Sequence, residues 1–253
     1  MHALASLDEI VAYLDAALEA PRYAAEEPDS NGLIVRAGAG VSKVAVAVNT
    51  SITTIVGAAK AGAQLLVVHH PTWPAVDLAL RDEKLQALEA AQVSLYAAHA
   101  SLDCAPDVGN GWILASMLGI TVDATFEEYH GGHAGVIGAH EGAFTDLIQR
   151  TQRELNTEVE AHEHAKTCAR VAIVTGGGGM TTALDEAHRL GADTYVTGEG
   201  SMFTRLFARE TGMNLILATH QATEAPGIKA LGQRISDNAQ IPWEYIPDSP
   251  DVF

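Results

Sequence analysis

Cysteine and long hydrophobic runs are the features that the sequence most clearly lacks. Of its 253 residues only two are cysteines, Cys104 and Cys168. Two thiols so distant in sequence provide neither a disulfide framework nor a Cys-x-x-Cys pair, and we interpret them as free thiols in a reducing compartment.

No apolar run approaches the roughly 20 residues that cross a bilayer. Residues 1–20 indicate an amphipathic helix rather than a signal peptide, so we expect a cytoplasmic protein without membrane contact.

Basic residues are also scarce. The sequence has 15 lysines and arginines against 32 aspartates and glutamates, which gives a formal net charge of −17. Such a surface repels phosphate backbones and argues against a nucleic-acid-binding protein. It does not exclude an anionic small-molecule substrate, provided that metal ions or a local basic patch offset the charge at the site.

What the sequence does contain is the composition of an ordinary globular protein, with 47% hydrophobic and 19% charged residues. Apolar runs alternate with helical patterns, which predicts α/β layers. The strands that we predict in the two halves are Lys43–Val48, Gln64–Val68 and Ser94–Ala98, then Arg170–Val174, Asp193–Val196 and Asn214–Ala218. After the last of these strands we predict a helix over Ile228–Ile235. We predict a first α/β lobe over residues 1–120, a connector over 121–166 that carries one or two strands, and a second lobe over 167–253, packed as one unit.

The two halves resemble each other at the residue level. The stretch KAGAQLLVVHH aligns with RLGADTYVTGE, and YAAHASLD aligns with ILATHQATE. In the second pair a histidine precedes a carboxylate by four residues, as His99 precedes Asp103 and His220 precedes Glu224. We interpret this as a duplicated α/β unit with a site where the halves meet; the alternative is chance similarity between generic strand–helix units.

Six chemically active side chains follow the predicted strand ends, where open α/β sheets bind ligands. They are His69, His70, His99, Asp103, His220 and Glu224. Imidazole and carboxylate groups bind Zn, Mn and Fe ions, and several together can hold two ions. Pro71 restricts the residue before it to extended conformations, so the imidazoles of His69 and His70 can diverge toward two ions. The alternative for each histidine taken singly is a solvated or hydrogen-bonded side chain.

Other polar motifs are weaker candidates. The run Gly176–Gly179 can bring backbone amides to a phosphate, but it lacks the lysine of a Walker loop, and a flexible turn is the favoured interpretation. Cys104 is interpreted as a packed thiol rather than a nucleophile. The histidines of the central segment are interpreted as solvated or loop residues: His130, His133, His140, His162 and His164.

Five stretches together resemble one known family: LLVVHHPTW, YAAHASLDCAPDVGNGWILASMLGI, RVAIVTGGGGM, GADTYVTGEGSMF and ATHQATEAPGIKALGQRI. It is the Nif-three-like family of hexameric proteins with a dinuclear metal centre, whose bacterial members are often labelled GTP cyclohydrolase 1 type 2. The resemblance spans nearly the whole chain. It implies a three-layer α/β/α fold of two intertwined, similar lobes with mixed sheets, assembled as toroidal homohexamers with the metal sites facing an inner cavity.

The resemblance also implies roles for individual residues. Two divalent ions, of Zn, Fe or Mn, would be held by His69, His70, Asp103, His220 and Glu224. His99 would lie beside these ligands, in a position for proton transfer. The chain departs from the family at Val48-Asn49-Thr50, where many relatives carry Leu-Asp, and after Glu199, where a frequent histidine is missing. Both departures leave substrate recognition open.

A dinuclear centre favours a hydrolytic reaction, because two cations lower the pKa of a bound water toward neutrality. We expect His99 or Glu199 to shuttle protons as the catalytic residues. The family label implies GTP as the small-molecule substrate, opened at its guanine imidazole ring with loss of formate. Two alternatives stay open: a metal-binding or metal-delivery scaffold without turnover, and a nucleotide or phosphoester hydrolase at the same site.

Overall fold

The computed structural model describes residues 4–248, which form strands and helices in alternation. The strands are β1 (Ala5–Ser6), β2 (Asn31–Val35), β3 (Gly40–Val41), β4 (Val44–Asn49), β5 (Leu65–His70), β6 (Ser94–Ala98), β7 (Thr121–Tyr129), β8 (Gly132–Ala139), β9 (Glu160–His162), β10 (Arg170–Val174), β11 (Thr194–Thr197), β12 (Asn214–Leu217) and β13 (Trp243–Tyr245). The helices are α1 (Leu7–Ala17), α2 (Ala20–Glu26), α3 (Ile52–Lys60), α4 (Pro74–Asp77), α5 (Arg81–Ala90), α6 (Ala100–Asp103), α7 (Asn110–Leu118), α8 (Phe144–Leu155), α9 (Thr181–Arg189), α10 (Met202–Thr211) and α11 (His220–Ala239).

By their internal contacts the described residues divide into two compact units. Unit 1 contains residues 4–105 and 228–248, and unit 2 contains residues 106–227. The boundary near residue 227 falls within α11. The three-part division predicted from the sequence concerns folding domains and stays a prediction.

Unit 1 is built around a five-stranded sheet with the order β13-β4-β5-β6-β2. The first four strands are parallel and β2 is antiparallel to β6. β4 and β5 are apolar and buried almost throughout, which is typical of parallel strands covered on both faces. One face packs against Ile55 of α3 and Leu88 of α5. On the other face Gly232 of α11 lies so near Val46 that a Cβ would be 2.9 Å from the valine side chain.

Unit 2 is built around a six-stranded sheet with the order β7-β8-β10-β11-β12-β9. Strands β10, β11 and β12 are parallel, and β8 and β9 run antiparallel to their neighbours in this group. One face packs against Leu114 of α7 and Leu147 of α8. The other packs against Leu184 of α9 and Ala208 of α10. Each unit therefore has three layers, and the predicted α/β class with mixed sheets is confirmed.

The two units share a motif of three adjacent parallel strands in chain order. It is β4-β5-β6 in unit 1 and β10-β11-β12 in unit 2. Because parallel strands end at the same edge of a sheet, each unit brings three strand ends and the residues that follow them together.

The segment 121–166 carries three strands where one or two were predicted, together with the helix α8. β7 and β8 form an antiparallel hairpin closed by His130 and Gly131, both with positive φ. Two such residues fit the turn that joins twisted antiparallel strands. β9 pairs with β12 at the opposite edge of the same sheet. Among the described residues, none of the helices combines the length and hydrophobicity needed to span a bilayer.

Candidate metal centre

Three imidazoles lie together at the strand ends of unit 1. β5 ends in His69 and His70, and His99 follows β6, its parallel neighbour. The ring centroids of His69 and His70 are 4.6 Å apart, and that of His99 lies 4.9 Å from His69 and 5.7 Å from His70. One nitrogen from each ring lies within 4.8 Å of the other two, which is a spacing suited to a common metal ion.

The hydrogen bonds of His69 and His70 determine which ring nitrogen carries the proton. His69 Nδ1 lies 2.8 Å from the carbonyl oxygen of Ala98, which can only accept. His70 Nδ1 lies 2.7 Å from Oδ1 of Asn49, the last residue of β4. Both nitrogens are therefore donors, and the neutral ring then has its lone pair on Nε2. Histidines that bind metals are held in this manner by a second group on the other nitrogen.

His99 is held in the same manner by a residue from another part of the chain. Its Nδ1 lies 2.8 Å and 2.9 Å from the two carboxylate oxygens of Glu27, which follows α2. The carboxylate accepts the Nδ1 proton and leaves Nε2 as the basic nitrogen of the neutral ring. His99 therefore shares with His69 and His70 a hydrogen bond at Nδ1 and a basic Nε2 in the neutral ring. This arrangement suits either a metal ligand or a residue that transfers protons.

Asp103 places a carboxylate beside this group. His99 precedes α6 and Asp103 is four residues later, at the end of that helical turn. Oδ1 of Asp103 lies 3.5 Å from Nε2 of His69, whose side chain is buried. The spacing of four residues thus becomes one turn of helix, which turns the carboxylate toward the imidazoles.

Trp73 is a further member of the site that was not predicted from the sequence. Its ring lies 5.5 Å from that of His70 and 5.0 Å from that of His99, nearly perpendicular to the latter. The indole Nε1 donates to Ser30 Oγ at 2.8 Å and fixes the ring. An aromatic side chain two residues after Pro71 was the available signal.

Unit 2 repeats the histidine–carboxylate arrangement. His220 is the first residue of α11, and Glu224 lies one turn later. His220 Nε2 is 3.1 Å from Glu224 Oε1, and His220 Nδ1 is 2.9 Å from Oε1 of Glu199, which follows β11. Glu224 is 3% exposed. Glu199, predicted to shuttle protons, therefore contacts the ring nitrogen on the opposite side from Glu224 and orients the imidazole.

The two carboxylates change the acid–base behaviour of His220. Burial alone would lower its pKa, but the hydrogen bond and charge of Glu224, together with those of Glu199, outweigh burial and raise the pKa to about 9. Without a metal ion this ring is therefore an imidazolium between two carboxylates at neutral pH. A cation that binds Nε2 replaces that proton.

The glycine run after β10 makes room for this group. A Cβ on Gly176 would lie 2.0 Å from Glu224 Oε1 and 2.9 Å from His220 Nε2, and Gly176 has a φ of +59°. A Cβ on Gly179 would lie 2.1 Å from the carbonyl oxygen of Glu199. Close approach of the backbone, rather than the flexibility predicted from the sequence, accounts for glycine at these positions.

A cavity of about 540 Å³ adjoins the Glu199 loop of unit 2. Its lining residues come from the turns before α9 and α10 and from the first residues of these helices: Gly177, Gly179, Met180, Thr181, Glu199, Gly200, Ser201 and Phe203. Met180 and Phe203 are exposed apolar side chains. The cavity therefore combines an apolar wall with the carboxylate that orients His220.

The remaining candidates have local structural contacts. His140 Nδ1 lies 2.9 Å from the carbonyl oxygen of Cys168. His162 pairs with Glu160 at 2.6 Å and stacks on His164. Burial raises the pKa of the Cys104 thiol to about 12, which makes it a poor nucleophile. Among the described residues, the groups with metal-ligand spacing include none of these side chains.

Comparison with known proteins identifies relatives over nearly the whole chain. Residues 5–250 match the family described as Duf34/NIF3 (NGG1p interacting factor 3). A protein of Deinococcus radiodurans named GTP cyclohydrolase 1 type 2 homolog is 33% identical over 254 residues, which cover 94% of this chain and 92% of that protein. A protein of the same name from Pyrococcus horikoshii is 36% identical over 250 residues, covering 96% and 98%.

Solved structures show the same relationship. The protein ybgI, described as of unknown function, has a TM-score of 0.86 at 29% identity and covers 96% of this chain and 98% of its own. The crystal structure of a Thermus thermophilus protein gives a TM-score of 0.83 at 29% identity, with coverage of 98% and 100%. As the resemblance predicted, the chain belongs to the Duf34/NIF3 family.

Proposed function

We propose that the chain is a metal-dependent hydrolase with a dinuclear centre. Its ligands would be His69, His70, Asp103, His220 and Glu224. The observation that carries the proposal is the hydrogen bonding of the imidazoles. Nδ1 of His69, His70 and His220 is in each case within hydrogen-bond distance of an oxygen atom. Nε2 is then the nitrogen that would bind a metal, in His220 after its proton has left, and a carboxylate oxygen lies near Nε2 of both His69 and His220.

The donor set fits divalent ions of intermediate hardness. Three imidazoles and two carboxylates suit Zn, Fe and Mn, and the two carboxylates offset part of the charge of two such ions. A pair of these ions supplies, when bound, a water of lowered pKa and a Lewis acid for hydrolysis. The acidic chain, with its net charge of −17, favours the uptake of cations over that of anions.

The neighbouring residues would serve the reaction without holding the metal. His99, fixed by Glu27, would take up or deliver a proton through Nε2. Glu199 would hold the His220 ring in place. The cavity beside Glu199 would receive the substrate, with Phe203 and Met180 as its apolar wall.

The substrate proposal depends on the names of the relatives. Two of them are named GTP cyclohydrolase 1 type 2 homolog, and GTP is therefore the first substrate to test. The homohexamer implied by the family resemblance and the cytoplasmic location expected from the sequence remain predictions, which the mass of the protein in solution and its distribution in fractionated cells would test.

Metal content tests the first part of the proposal. Protein equilibrated with Zn, Mn or Fe and then freed of excess metal should retain two ions per chain by elemental analysis. His70→Gln and Glu224→Gln should each lose at least one ion. His162→Gln is the matched control, since this surface imidazole pairs with Glu160 away from the proposed ligands. Retention of both ions by His70→Gln and Glu224→Gln would contradict the ligand assignment.

Turnover tests the second part. Metal-loaded protein is incubated with GTP and, separately, with a panel of nucleotides and phosphoesters, and formate, pterins and phosphate are measured. Formate from GTP supports ring opening, and phosphate supports a phosphoester hydrolase. Two bound ions with no product from any substrate, together with partner proteins that Glu224→Ala still binds, would replace the hydrolase with a metal-binding scaffold.

A further inference from the structure

A row of hydrogen bonds connects His70 to the C-terminal part of unit 1. His70 Nδ1 lies 2.7 Å from Asn49 Oδ1. Asn49 Nδ2 donates to Asp248 Oδ2 at 3.1 Å, and Ser51 Oγ donates to Asp248 Oδ1 at 2.8 Å. The carboxylate of Asp248 is thus two hydrogen bonds away from the imidazole, although the two residues are far apart in the sequence.

The sheet of unit 1 fixes the positions of all members of this row. Asn49 and His70 are directly paired residues at the ends of β4 and β5. β13 runs parallel to β4, and Ile246 continues the pairing by donating its N–H to the carbonyl oxygen of Val46 at 2.8 Å. Asp248 follows two residues later and is 7% exposed. A buried carboxylate is thereby held at the same edge of the sheet as the histidine.

The carboxylate of Asp248 determines which atom is the donor and which is the acceptor in each hydrogen bond of this row. A carboxylate only accepts hydrogen bonds, so Asp248 requires the amide nitrogen of Asn49 to face it. The amide oxygen of Asn49 then faces His70, and this oxygen also only accepts. His70 Nδ1 must therefore carry a proton, which places the lone pair of the neutral ring on Nε2.

We propose that Asp248 and Asn49 are positioning residues that lock His70 in the Nδ1-protonated tautomer and so prepare its Nε2 for a metal ion. This inference rests on the proposed function for the role of His70. The locking of the tautomer itself is a property of the metal-free protein and is measured without any metal.

Asp248→Asn keeps the size of the side chain but replaces a group that only accepts hydrogen bonds with one that also donates them. The new amide can donate to Asn49 Oδ1, which would turn the Asn49 amide and bring its nitrogen toward His70. Nδ1 would then accept, and the proton would move to Nε2, where it competes with a metal. Glu244→Gln is the matched control, because it removes one carboxylate from the same segment but breaks only a surface pair with Lys43.

The experiment uses the full chain with ¹⁵N-labelled histidine, freed of metal. Long-range ¹H–¹⁵N correlation spectra distinguish protonated from unprotonated ring nitrogens, and His70→Gln assigns the signals. We expect protonated Nδ1 in the parent protein and in Glu244→Gln, and a mixture or a protonated Nε2 in Asp248→Asn. In zinc titrations Asp248→Asn should bind about tenfold more weakly or worse.

The exchanged variant Asn49→Asp/Asp248→Asn guards against a general structural effect. The carboxylate introduced at position 49 would accept from both His70 Nδ1 and the amide at position 248, whose oxygen would accept from Ser51 Oγ. The protonated Nδ1 and the zinc affinity should both return. The proposal is overturned if Asp248→Asn keeps the parent tautomer, or if the exchange restores neither readout. A parent protein that binds no zinc contradicts the proposed function alone, since the tautomer still decides the positioning role.

Discussion

At the scale of single residues, Gly176 lies where a larger side chain meets both a steric and a conformational obstacle. Gly176→Ala combines a left-handed φ with a Cβ 2.0 Å from Glu224 Oε1. The glutamate must move, so we expect loss of metal and a decrease of about 2–4 kcal/mol in the free energy of unfolding. Gly212→Ala is the control, because Gly212 has a φ of +72° with nothing within 4 Å of the added atom. Its cost should be about 1–2 kcal/mol without loss of metal. Denaturant unfolding measures the loss of stability and elemental analysis measures the loss of metal in both variants. Equal effects of the two substitutions would contradict the steric conflict between Gly176→Ala and Glu224.

His220 predicts the pH dependence of metal uptake. Its pKa of about 9 in the metal-free protein means that below this pH a proton occupies the ring and must leave when a cation binds. Affinity at this ligand should therefore fall about tenfold for each unit of pH below 9. Calorimetry in buffers of different ionisation enthalpy would detect the released proton. A pH-independent affinity across the neutral range would show that Nε2 of His220 is not a ligand.

The candidate ligands could be predicted because they are close to strand ends in the sequence, whereas their supporting residues could not. His69 and His70 follow an apolar run that has the length of a buried strand. Glu27 meets His99, and Asp248 meets Asn49, only after the chain has folded. No local pattern indicates such pairs, since each depends on the register of strands distant in sequence.

At the scale of secondary-structure elements, Asp193 joins two strands. Its carboxylate accepts from the backbone N–H groups of Ala169 and Arg170 at the start of β10, and from Thr194 Oγ1. Burial alone would raise its pKa, but these hydrogen bonds lower it below the ordinary value. Asp193→Ala should cost about 2 kcal/mol at neutral pH.

The difference in the free energy of unfolding between the parent protein and Asp193→Ala should vanish at acidic pH. Because the pKa is depressed in the folded state, the stabilisation is complete above the ordinary aspartate pKa and is lost as the pH falls through the depressed value. Asp185→Ala is the control, since its partner Arg189 is on the exposed face of α9, and it should cost less than about 0.5 kcal/mol. Urea unfolding at neutral and acidic pH measures the cost of each substitution. A cost of Asp193→Ala that does not change with pH would contradict the stabilising role of the ionised Asp193 carboxylate.

The central strands of both sheets could be predicted to within two residues, because continuous apolar runs leave few other arrangements. The helix that follows β12 was predicted to begin at Ile228, whereas α11 begins at His220. Pro226 and Gly227 argued against a helix there, since proline removes a backbone donor. Packing overrides this preference, and the helical turn that joins His220 to Glu224 was for that reason not foreseen.

At the scale of the whole molecule, residues 228–248 belong to unit 1 although they follow unit 2 in the chain. A chain ending at Gln240 would lose β13 and the side chain of Ile246, which packs against Gly57 of α3. We expect an unfolding midpoint many degrees lower or an insoluble product. A chain ending at Asp248 is the control and keeps every described contact. Equal thermal stability of the two, measured by circular dichroism, would show that this segment is dispensable.

The place of Asp248 in the chain also has a consequence for biosynthesis. It follows all the proposed ligands in the order of translation, so the ribosome makes the imidazoles and carboxylates well before the residue that we expect to lock His70. A nascent polypeptide that has not yet reached Asp248 would therefore expose an unlocked histidine to cellular metals, and strong capture would come only after Asp248 has been added and has folded against Asn49. Strong metal binding would then depend on the metal supply after β13 has joined its sheet rather than on the supply when the ligands are made.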